Sequence, residues 1–562
     1  MDILAKIKED IAKSIDSIGF EISPNDIIES KVSDLETRIA FKLAKKLRKS
    51  PSEIAERIAS KLNESKPKYV EKIEAKNGYV NFYLDYITIA REFLLKVVKQ
   101  RESIFAHKKK KDKIVIDFSC PNPGKPMHIG HVRSTVIGDC LCRINRYLSY
   151  DVVASNYMND RGLHMGKLMA AIELWGIPPL EEIKEPEKFL MQLYVKFNQE
   201  AEKNPELNKK AHEWVQKIDQ EDARALILLN KIYEVSWKGF EETYNRLDVK
   251  FDEVVRETQV VNIGKEIVKE ALDKGIAFKA EEGQIVADLE EYGLPSTVIL
   301  RSDGTALYIT SDMGLAKYRY EKHHFDRMIY VTANEQNLHF KQFFKILELL
   351  GYDWVKKCEH VGFGLIFLPQ GKISTRKGRV VFLKDVLDRI VNLAKEEIKK
   401  REYITENIDD VAEKIAIAAL RFAILSVDNN KEIHFDWNKI LNFDGKTGPY
   451  LLYSYVRANS ILEKASKNVD NFDVSELTSE EISLLRKLIS FESIIKSSSR
   501  SNQPHTFANY LFELAKIFTE FYHNNKVIGS EKEDFRIALV FAFKLFMKKG
   551  LELLGIKPVE RM

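Results

Sequence analysis

The chain of 562 residues is too long for a single hydrophobic core, so its length predicts three or four domains. Hydrophobic residues make up 44% of it and charged residues 31%, a balance that excludes a disordered or membrane-embedded protein. The formal net charge of +4 permits a polyanionic partner without requiring one.

The N-terminal stretch and the cysteines restrict the class of protein further. MDILAKIKEDIAKSIDSIGF has the pattern of an amphipathic helix with charges of both signs, unlike a signal peptide, and no apolar run reaches about 18 residues. We therefore expect a cytoplasmic protein that does not enter a membrane. The cysteines match neither a disulfide framework nor a zinc-finger spacing, so no metal site is predicted; they are Cys120, Cys140, Cys142 and Cys358.

Residues 1–110 predict a small α+β domain that alternates helices and strands. Its helical patterns cover residues 3–16, 36–49, 52–64 and 88–99, and its strand candidates are Tyr69–Ile73 and Tyr79–Tyr83. The basic run HKKKKDK, residues 107–113, follows these elements. This run is either a solvated linker or a contact for phosphates, and its composition does not decide between the two.

Residues 111–176 have the pattern of a βαβ unit. The apolar run Ile114–Phe118 predicts a buried strand, and the prolines and glycine after it exclude regular structure. A helix then starts at Ile129, followed by a strand at Val152–Asn156 and a second helix from about Leu163. Such a unit requires a parallel sheet whose ligand lies at the carboxyl ends of the strands.

The remaining patterns predict an α/β domain at residues 111–390 and an all-α domain at residues 391–562. Residues 177–247 are helical and charged, which is typical of an insertion between the halves of a sheet. The sheet is expected to resume with four strands, Gln284–Leu289, Thr297–Arg301, Ala306–Thr310 and Met328–Thr332. Beyond Val380 the pattern contains no strands. It predicts helices at residues 383–401, 411–427, 447–465, 479–497, 506–526 and 533–553.

His128, Gly130 and His131 lie at the start of the helix that follows the first loop. Unpaired backbone N–H groups and the positive end of the helix dipole attract phosphate there. The histidines are three residues apart and share one face, and Gly130 leaves room for a phosphate to approach the backbone. The alternative, a pair of ordinary histidines, is less favourable because a Pro/Gly loop precedes them. A zinc site is not expected, since a third ligand is lacking nearby.

A second electropositive segment, GKISTRKG, lies at residues 371–378. Its cations and hydroxyls stand between two glycines, which suits a loop that closes on a polyphosphate. The side chains concerned are Lys372, Ser374, Arg376 and Lys377. By itself this pattern is equally typical of a solvated surface loop.

Together these segments resemble the two signatures of class I aminoacyl-tRNA synthetases. PNPGKPMHIGHVRST is similar to the first signature as it occurs in the arginyl-tRNA synthetase family, and HVGFGLIFLPQGKISTRKG is similar to the second. WNKILNFDGKTGPYLLYSYVRANSIL and LLGIKPVERM resemble that family's entry into its anticodon-binding domain and its C-terminus. The resemblance runs from about residue 70 to the end of the chain.

The resemblance implies a multidomain α/β protein: a Rossmann-type parallel-sheet catalytic domain with a helical insertion, an all-α anticodon-binding domain, and a small α+β N-terminal domain that contacts the tRNA elbow. It implies that L-arginine is activated by ATP, with Mg²⁺, to arginyl-adenylate and then transferred to the 3′ end of tRNA(Arg). The family's habit implies that activation requires bound tRNA, and we expect a monomer.

Two other hypotheses are compatible with part of the pattern. One is a nucleotidyltransferase of the same superfold that acts on a small metabolite, which the long helical tail disfavours. The other is a catalytically silent paralogue that binds RNA, which the intact HIGH sequence and Asp312 disfavour.

For arginine, the resemblance implies a contact from Asn122 to the amino-acid backbone, and guanidinium-side or neighbouring contacts from Glu257, Tyr308, Asp312 and Gln336. A buried guanidinium requires carboxylates, because unpaired donors would cost several kcal/mol. Tyr308 is expected on a strand that runs into a helix, with Asp312 one turn later. Taken singly, Asp312 also fits a helix cap, and it is the joint agreement that favours the site.

For ATP, the resemblance implies the first-signature residues His128, Gly130 and His131 and the second-signature residues Lys372, Ser374, Arg376 and Lys377. This chain departs from the class pattern, since Thr375 stands where the second signature has its second lysine. Lys125, three residues before His128, occupies the place of the lysine that substitutes for it in many family members. We therefore expect the catalytic group to be Lys125, His128, His131 and Lys372.

For tRNA, the helical domain offers the candidates Tyr450, Tyr455 and Arg457. Unstacked bases bind aromatic faces, and basic side chains bind the phosphate backbone. Tyrosines at this spacing are also typical of a helical core, so they are not assigned to particular bases.

Overall fold

The structure is a computed structural model that describes residues 2–367, 381–401, 407–437, 439–467 and 469–561. In those ranges the strands are β1 Ile27–Glu29, β2 Leu35–Thr37, β3 Val70–Lys76, β4 Tyr79–Leu84, β5 Lys113–Asp117, β6 Asp151–Met158, β7 Glu253–Arg256, β8 Ala277–Lys279, β9 Ile285–Ala287, β10 Thr297–Leu300, β11 Arg327–Ala333, β12 Cys358–Phe363, β13 Ile366–Phe367 and β14 Ile433–His434. The helices are α1 Ile3–Ser17, α2 Ile39–Leu47, α3 Pro51–Glu64, α4 Tyr86–Gln100, α5 Ile129–Tyr147, α6 Leu163–Trp175, α7 Pro186–Lys203, α8 Glu206–Asp219, α9 Ala223–Leu247, α10 Glu257–Asp273, α11 Tyr308–His323, α12 Asn337–Leu349, α13 Leu383–Lys400, α14 Ile408–Leu425, α15 Gly448–Ala465, α16 Ser479–Ile489, α17 Phe491–Ser501, α18 Pro504–Asn524 and α19 Glu533–Leu553.

The N-terminal domain is an antiparallel sheet, in the order β1-β2-β4-β3, covered by helices. α3 begins at Pro51 because the Ser50 hydroxyl accepts a hydrogen bond from the Glu53 N–H at 3.2 Å. Ile54 and Ile58 recur on its inner face and are 1% and 0% exposed. The predicted α+β fold is confirmed. β1 and β2, three residues each, are additional strands too short to produce an alternating sequence pattern.

The central sheet contains five parallel strands in the order β12-β11-β5-β6-β7. β5 lies in the middle, and its residues Ile114, Val115 and Ile116 are at most 2% exposed, as expected for a strand covered on both faces. From β5 the chain adds β6 and β7 on one side and then crosses to add β11 and β12 on the other. The order therefore reverses between β5 and β11, which is where open α/β sheets bind ligands at the carboxyl ends of their strands.

The helical insertion between β6 and β7 is confirmed. α7, α8 and α9 pack with α6 around the side chain of Trp214, which is 2% exposed. The insertion thus has its own hydrophobic core beside the carboxyl edge of the sheet.

Three of the four strands predicted after the insertion are not part of the central sheet. Residues 284–289 and 297–301 correspond to β9 and β10, which form a separate antiparallel sheet with β8. The prediction of a strand at Ala306–Thr310 is wrong, because α11 begins at Tyr308. The β-branched side chain of Thr310 resembles a strand residue in the sequence, but its hydroxyl accepts the Leu307 N–H at 3.0 Å and closes the first turn of the helix.

The all-α domain is confirmed in its helices, with two differences. The predicted helix at residues 479–497 is divided at Ser490 into α16 and α17. The prediction that no strand follows Val380 is wrong, since β14 pairs in parallel with β13. β14 was missed because a strand of two residues is too short to show a periodic sequence pattern. The predicted boundary between residues 390 and 391 falls within α13. No described helix, in this domain or elsewhere, is long and apolar enough to cross a membrane.

Arg421 joins the catalytic-domain helix α5 to the end of the chain. Its guanidinium is fully buried and donates to the Leu554 carbonyl at 2.6 Å, to the Leu247 carbonyl at 3.0 Å and to the Asp139 carboxylate. These partners belong to the C-terminal segment, α9 and α5. One side chain therefore holds three parts of the molecule together.

Arg133, also in α5 and fully buried, performs a similar role on the other side. Its guanidinium donates to backbone carbonyls at 2.5–3.1 Å, those of Gly364, Asp428, Asn429 and Lys431. Gly364 follows β12, and the other three precede β14. The helix that carries the histidines is thus fixed to the point where the helical domain meets the sheet.

Candidate active site

The loop after β5 crosses the carboxyl edge of the sheet in an unusual backbone conformation. Ser119 and Cys120 have φ angles of 74° and 48°, which residues other than glycine rarely adopt. Gly124 has a φ of 77°, and a Cβ there would lie 2.1 Å from Leu168 Cδ1, so the position requires glycine. Such strained backbone persists where the surroundings hold it, and it occurs frequently at ligand sites.

His128 and His131 are built into the first turn of α5. Nδ1 of His128 accepts the Gly130 N–H at 3.1 Å, and Nδ1 of His131 accepts the His128 N–H at 3.2 Å. Since both Nδ1 atoms are acceptors, the proton of each neutral ring is on Nε2. The ring centroids lie 4.0 Å apart. The helix start therefore carries two adjacent imidazole N–H donors that the backbone does not use.

Both rings are neutral at pH 7. Burial lowers the pKa of His131 to about 3, with His128 and Lys125 contributing to the shift. Burial and then Lys125 also lower the pKa of His128. Lys125 sits in the turn before the helix, where its backbone N–H donates to the Asn122 carbonyl at 3.1 Å. Lys125 therefore supplies positive charge next to two neutral donors, an arrangement that suits a phosphate chain.

A third imidazole near Lys125, that of His164, was not predicted. It lies in the first turn of α6, and burial followed by Lys125 lowers its pKa to about 3. Its Nε2 atom is buried and has no hydrogen-bond partner among the described residues. Nothing in the pattern LHMGKL distinguishes this histidine from an ordinary helix residue, so sequence reasoning had no means of finding it.

Glu257, the first residue of α10, is a buried carboxylate at the end of β7. It is 5% exposed and accepts a hydrogen bond from the Ser311 hydroxyl at 2.7 Å. Burial raises its pKa to about 7, against the opposing effects of Ser311 and Arg161. A cation placed beside Glu257 would therefore restore the charged carboxylate that burial disfavours.

Tyr308 and Asp312 lie on α11, four residues apart and on one face. Tyr308 is the first residue of the helix and not a strand residue, and its exposed ring is hydrogen-bonded through the hydroxyl to Asn159. Asp312 Oδ2 lies 2.6 Å from Nε2 of His339. Because the cap of α11 is Leu307, the helix-cap interpretation of Asp312 is excluded.

A buried ion pair ties α11 to the sheet below these residues. The Arg319 guanidinium, fully buried, donates to Asp117 Oδ1 at 2.6 Å and to the Ser155 hydroxyl at 2.9 Å. Asp117 ends β5, and Ser155 lies in β6. The face of α11 that carries Tyr308 and Asp312 is therefore set relative to β5 and β6. It is thereby also set relative to the loop of residues 118–128 that follows β5, called the phosphate loop below.

A cleft of about 930 Å³ opens between the sheet edge and the insertion. Glu257, Tyr308 and Asn159 line it from the sheet side, and His164 of α6 and Gln216 of the insertion also line it. The cleft thus joins acidic and phenolic groups to the neighbourhood of Lys125. The lining contains basic as well as acidic side chains, so it is the pair of Glu257 and Tyr308, and not the cleft as a whole, that suits a planar cation such as a guanidinium.

The remaining predicted site residues lie either in loops next to the sheet or outside the described residues. Asn122 is half-buried in the loop before Lys125, and Gln336 is exposed in the turn after β11. Lys372, Ser374, Thr375, Arg376 and Lys377 lie outside the described residues.

The three candidate tRNA contacts all lie on α15. Tyr455 is 1% exposed and its hydroxyl donates to Glu560 at 3.0 Å, so its ring belongs to the domain core. Tyr450 is half-buried, with its hydroxyl 3.2 Å from that of Thr519. Arg457 lies over the ring of Tyr522, at 5.0 Å from its centroid. Tyr522 is 39% exposed and forms an aromatic and basic surface with Arg457.

Comparison with protein-family models identifies three segments. Residues 3–84 match the arginyl-tRNA synthetase N-terminal domain, residues 93–437 match the catalytic domain of class I tRNA synthetases (R), and residues 451–562 match the DALR anticodon-binding domain.

Relatives and solved structures match the chain over most or all of its length. The chain is 39% identical over 493 residues to an arginine–tRNA ligase of Halothermothrix orenii, covering 86% of each chain. It is 36% identical over 559 residues to that of Clostridioides difficile, covering 99% of this chain and 97% of the relative. Its fold is similar to an arginyl-tRNA synthetase structure from Plasmodium falciparum, with a TM-score of 0.82, 26% identity and coverage of 100% and 99%. An arginyl-tRNA synthetase structure from Thermus thermophilus gives a TM-score of 0.82 at 24% identity, with 99% of each chain covered.

Proposed function

The chain belongs to the arginyl-tRNA synthetase family of class I enzymes, and we propose how its residues divide the work of charging tRNA with arginine. The reaction has two steps. L-Arginine and ATP form arginyl-adenylate and pyrophosphate, and the arginyl group is then transferred to the 3′ end of tRNA(Arg). The observation that carries the assignment of residues is the cleft that Glu257 and Tyr308 line together with His164, the imidazole whose pKa is lowered in part by Lys125.

We place the arginine guanidinium against Glu257, Asp312 and Tyr308. Two carboxylates and a phenol match the donors of a guanidinium, and the rigid fork of that group rewards bidentate pairing. Asn122, in the phosphate loop, is proposed to contact the α-amino or carboxylate end of arginine, with Gln336 at the opposite strand end. This arrangement directs the substrate carboxylate towards the loop that holds ATP.

In the activation step a carboxylate oxygen of arginine attacks the α-phosphorus of ATP, and the bond to the bridging oxygen of pyrophosphate breaks. No protein nucleophile is needed, so catalysis consists of positioning and charge neutralisation. We assign that work to Lys125 and to the Nε2–H donors of His128 and His131, with Gly130 allowing the phosphate to approach the helix start. Lys372, Ser374, Arg376 and Lys377 are proposed to close on the phosphates from the second signature.

Mg²⁺ is proposed to enter with ATP as part of the substrate. Mg²⁺ is commonly held by substrate phosphates and water together with one or two carboxylates. Among the described residues no group of three histidine, cysteine or acidic side chains is arranged to hold a metal ion. The ion's ligands are then mainly the phosphates, and the protein contributes the lysine and imidazole donors.

For tRNA we propose that the helical domain binds the anticodon and the N-terminal domain contacts the elbow, with domain limits at residues 1–110, 111–390 and 391–562. Tyr450 and Arg457 remain the candidates on α15, and Tyr522 is added because its exposed ring lies against Arg457. Tyr455 is proposed to act through packing alone, since its ring is buried. We further propose that activation requires bound tRNA and that the enzyme acts as a cytoplasmic monomer.

The deciding experiment is arginine-dependent exchange of pyrophosphate into ATP, measured with and without tRNA(Arg). We expect exchange with arginine and none with lysine, because lysine lacks the fork that Glu257 and Asp312 would pair. We also expect exchange to depend on added tRNA. Exchange driven by lysine, or no exchange in any condition, would contradict the assignment.

A further inference from the structure

Two contacts from the helical insertion hold the phosphate loop on either side of Lys125. Before that lysine, the Gly124 N–H donates to the Ser236 hydroxyl oxygen at 2.9 Å. After it, the Met127 N–H donates to Glu187 Oε1 at 2.6 Å. Ser236 lies on α9 and Glu187 on α7, so both acceptors come from the insertion and neither comes from the sheet.

Both contacts are buried. Ser236 is 1% exposed and Glu187 is 9% exposed, and Met127 is fully buried. A buried N–H left without its acceptor costs about 1–3 kcal/mol, so the loop has a strong preference for the position that keeps both bonds. The Ser236 hydroxyl is itself oriented, since it donates to the Ile232 carbonyl at 2.7 Å.

α9 approaches the Glu187 side chain closely at a glycine. Gly239, one turn beyond Ser236 on α9, faces it, and a Cβ at that position would lie 2.6 Å from Glu187 Cγ. Gly239 is in an ordinary helical conformation, so close approach and not backbone freedom is what this glycine supplies. The carboxylate is therefore inserted between α9 and the loop in one orientation.

The Met127 peptide is held on its other side as well. Its carbonyl accepts the Leu383 N–H at 2.9 Å, and His128 pairs with Phe382 as an isolated antiparallel bridge. These residues begin α13, immediately after the second signature. The insertion, the first signature and the segment after the second signature thus meet at Met127.

We propose that Glu187 and Ser236 are positioning residues for arginine activation, which place Lys125 and His128 by holding the backbone on either side of the lysine. The inference rests on the role proposed above for Lys125. The helical insertion then contributes directly to adenylate formation, although neither side chain touches the reacting atoms. A displacement of about 1 Å at a catalytic group is enough to lower a rate by about 100-fold.

The two positions can be tested by removing the acceptor while keeping the volume. We expect Glu187→Leu to lower kcat of arginine-dependent exchange by about 10- to 100-fold, with less effect on KM for ATP or arginine, since misplacement of Lys125 weakens the transition state more than ground-state binding. Glu187→Gln retains an acceptor oxygen at the same place, so it is expected within about 3-fold of wild type. The matched control is Glu185→Gln, on the exposed residue just before α7, whose carboxylate pairs with Lys188.

A pH profile separates positioning from general stability. The pKa of Glu187 is raised to about 7, mainly by burial. The carboxylates of Glu242 and Asp385 also raise this pKa, while the Met127 N–H and Lys384 lower it. The carboxylate is the stronger acceptor, so kcat of the wild type should fall as the pH drops through about 7. Glu187→Gln should lose that part of the fall, while any limb due to other groups remains.

Ser236→Ala is the second variant, because removing one hydroxyl leaves the insertion folded more reliably than changing a buried carboxylate. It is expected to lower kcat by about 3- to 10-fold. The double variant Glu187→Gln/Ser236→Ala should have a kcat within about 3-fold of that of Ser236→Ala alone. Folded Glu187→Leu and Ser236→Ala enzymes with wild-type kcat would overturn the inference. So would equal losses in Glu187→Gln and Glu187→Leu. Since each comparison requires an active wild type, these outcomes are distinct from failure of the arginine assignment itself.

Discussion

In the proposed arginine site, burial and the charge of the substrate have opposite effects on the pKa of Glu257. Its pKa is raised to about 7 mainly by burial, with Asp160 and Asp312 adding to the rise. A guanidinium remains protonated at any physiological pH and favours the ionised carboxylate. Arginine binding must therefore lower the pKa of Glu257 and release a proton wherever the free enzyme holds one.

This linkage predicts the pH dependence of arginine binding. Below about pH 7 the affinity for arginine should fall, by up to about tenfold per pH unit, because protonated Glu257 must first ionise. Above that pH the affinity should be constant. Calorimetry at pH 6 and pH 8, in two buffers with different ionisation enthalpies, measures both the affinity and the protons released.

The controls for this prediction lie on the same helix. Glu257→Gln should bind arginine weakly at both pH values and without this proton release. Glu266→Gln, at an exposed position of α10, should behave as wild type. Proton release at pH 6 that persists in Glu257→Gln would assign the titration to another group.

Lys125 is expected to carry the main positive charge opposite the phosphates, since Thr375 stands in the place of a lysine. Lys125→Ala should lower arginine-dependent exchange by about 100-fold or more, the scale of a lost electrostatic contact to a transition state. Lys113→Ala is a suitable control, because that lysine lies at the opposite end of β5 and pairs with Asp151 at 3.4 Å. An unchanged rate in Lys125→Ala would move the role to the second signature.

At the scale of elements, a single substitution at the start of α5 is expected to change the activity without changing the stability. Gly130 has no left-handed φ, so alanine suits its backbone, and alanine favours a helix over glycine by about 1 kcal/mol. Its Cβ, however, would lie 2.8 Å from Cε1 of His128. The imidazole would have to turn away and would no longer present Nε2 in the same place.

Turning the ring also breaks the hydrogen bond from the Gly130 N–H to His128 Nδ1, a loss of about 1 kcal/mol that offsets the gain in helix preference. Gly130→Ala is therefore expected to keep the melting temperature of the wild type and to lose about 10- to 100-fold in exchange rate. His128→Ala serves as the comparison, and the two losses should agree within a few-fold. Thermal unfolding and exchange assays on the same preparations give both quantities. A Gly130→Ala enzyme with full activity would show that the ring position is unimportant.

Which elements could be read from the sequence depended on how each one is buried. β5 was predicted because a strand covered on both faces is a continuous apolar run, and α5 because its apolar residues recur at helical spacing. β7 was not, since EVVR is four residues long and partly exposed at the sheet edge. The strand predicted at Ala306–Thr310 failed because β-branched residues also start α11, where a hydroxyl closes the first turn.

The site divides in the same way. Residues within one motif, such as Lys125 and the two histidines, could be proposed from the sequence because the motif itself is distinctive. Glu187 and Ser236 lie 60 and 112 residues away from their loop partners, and their helices have no unusual composition. His164 was missed for a related reason, since its special property is a buried Nε2 atom that has no hydrogen-bond partner among the described residues, which only the packed structure reveals.

At the scale of the whole molecule, α5 connects the active site to both ends of the helical domain. Arg133 holds the backbone before β14, and Arg421 reaches Asp139 from α14. β13, which lies within the second signature ahead of its GKISTRKG segment, also pairs with β14. A shift of the helical domain on binding tRNA would therefore be transmitted to the helix that carries His128 and to the start of the second signature. This continuity offers a physical route for the proposed dependence of activation on tRNA.

The C-terminal segment tests how much this connection contributes to stability. Gly555 has a φ of 70°, and a Cβ there would lie 2.1 Å from a terminal nitrogen of Arg421. Gly529 also has a φ of 70°, but its nearest neighbour would be 3.5 Å away, on the flexible side chain of Lys526. Alanine at either position pays the same backbone strain, so the difference between the two variants isolates the contact with Arg421.

We expect Gly555→Ala to lower the free energy of unfolding by about 1–3 kcal/mol more than Gly529→Ala does, which is the usual range for overpacking a buried site. Because unfolding of a chain this large is not two-state, the comparison is best made on the apparent melting temperature at a fixed scan rate. If Arg421 couples the domains, Gly555→Ala should also reduce exchange with tRNA, although residue 555 is remote from the phosphate loop in sequence. Equal melting temperatures for the two variants would mean that the Arg421 guanidinium can move aside freely, and the buried network would then be a consequence of domain packing and not a cause of it.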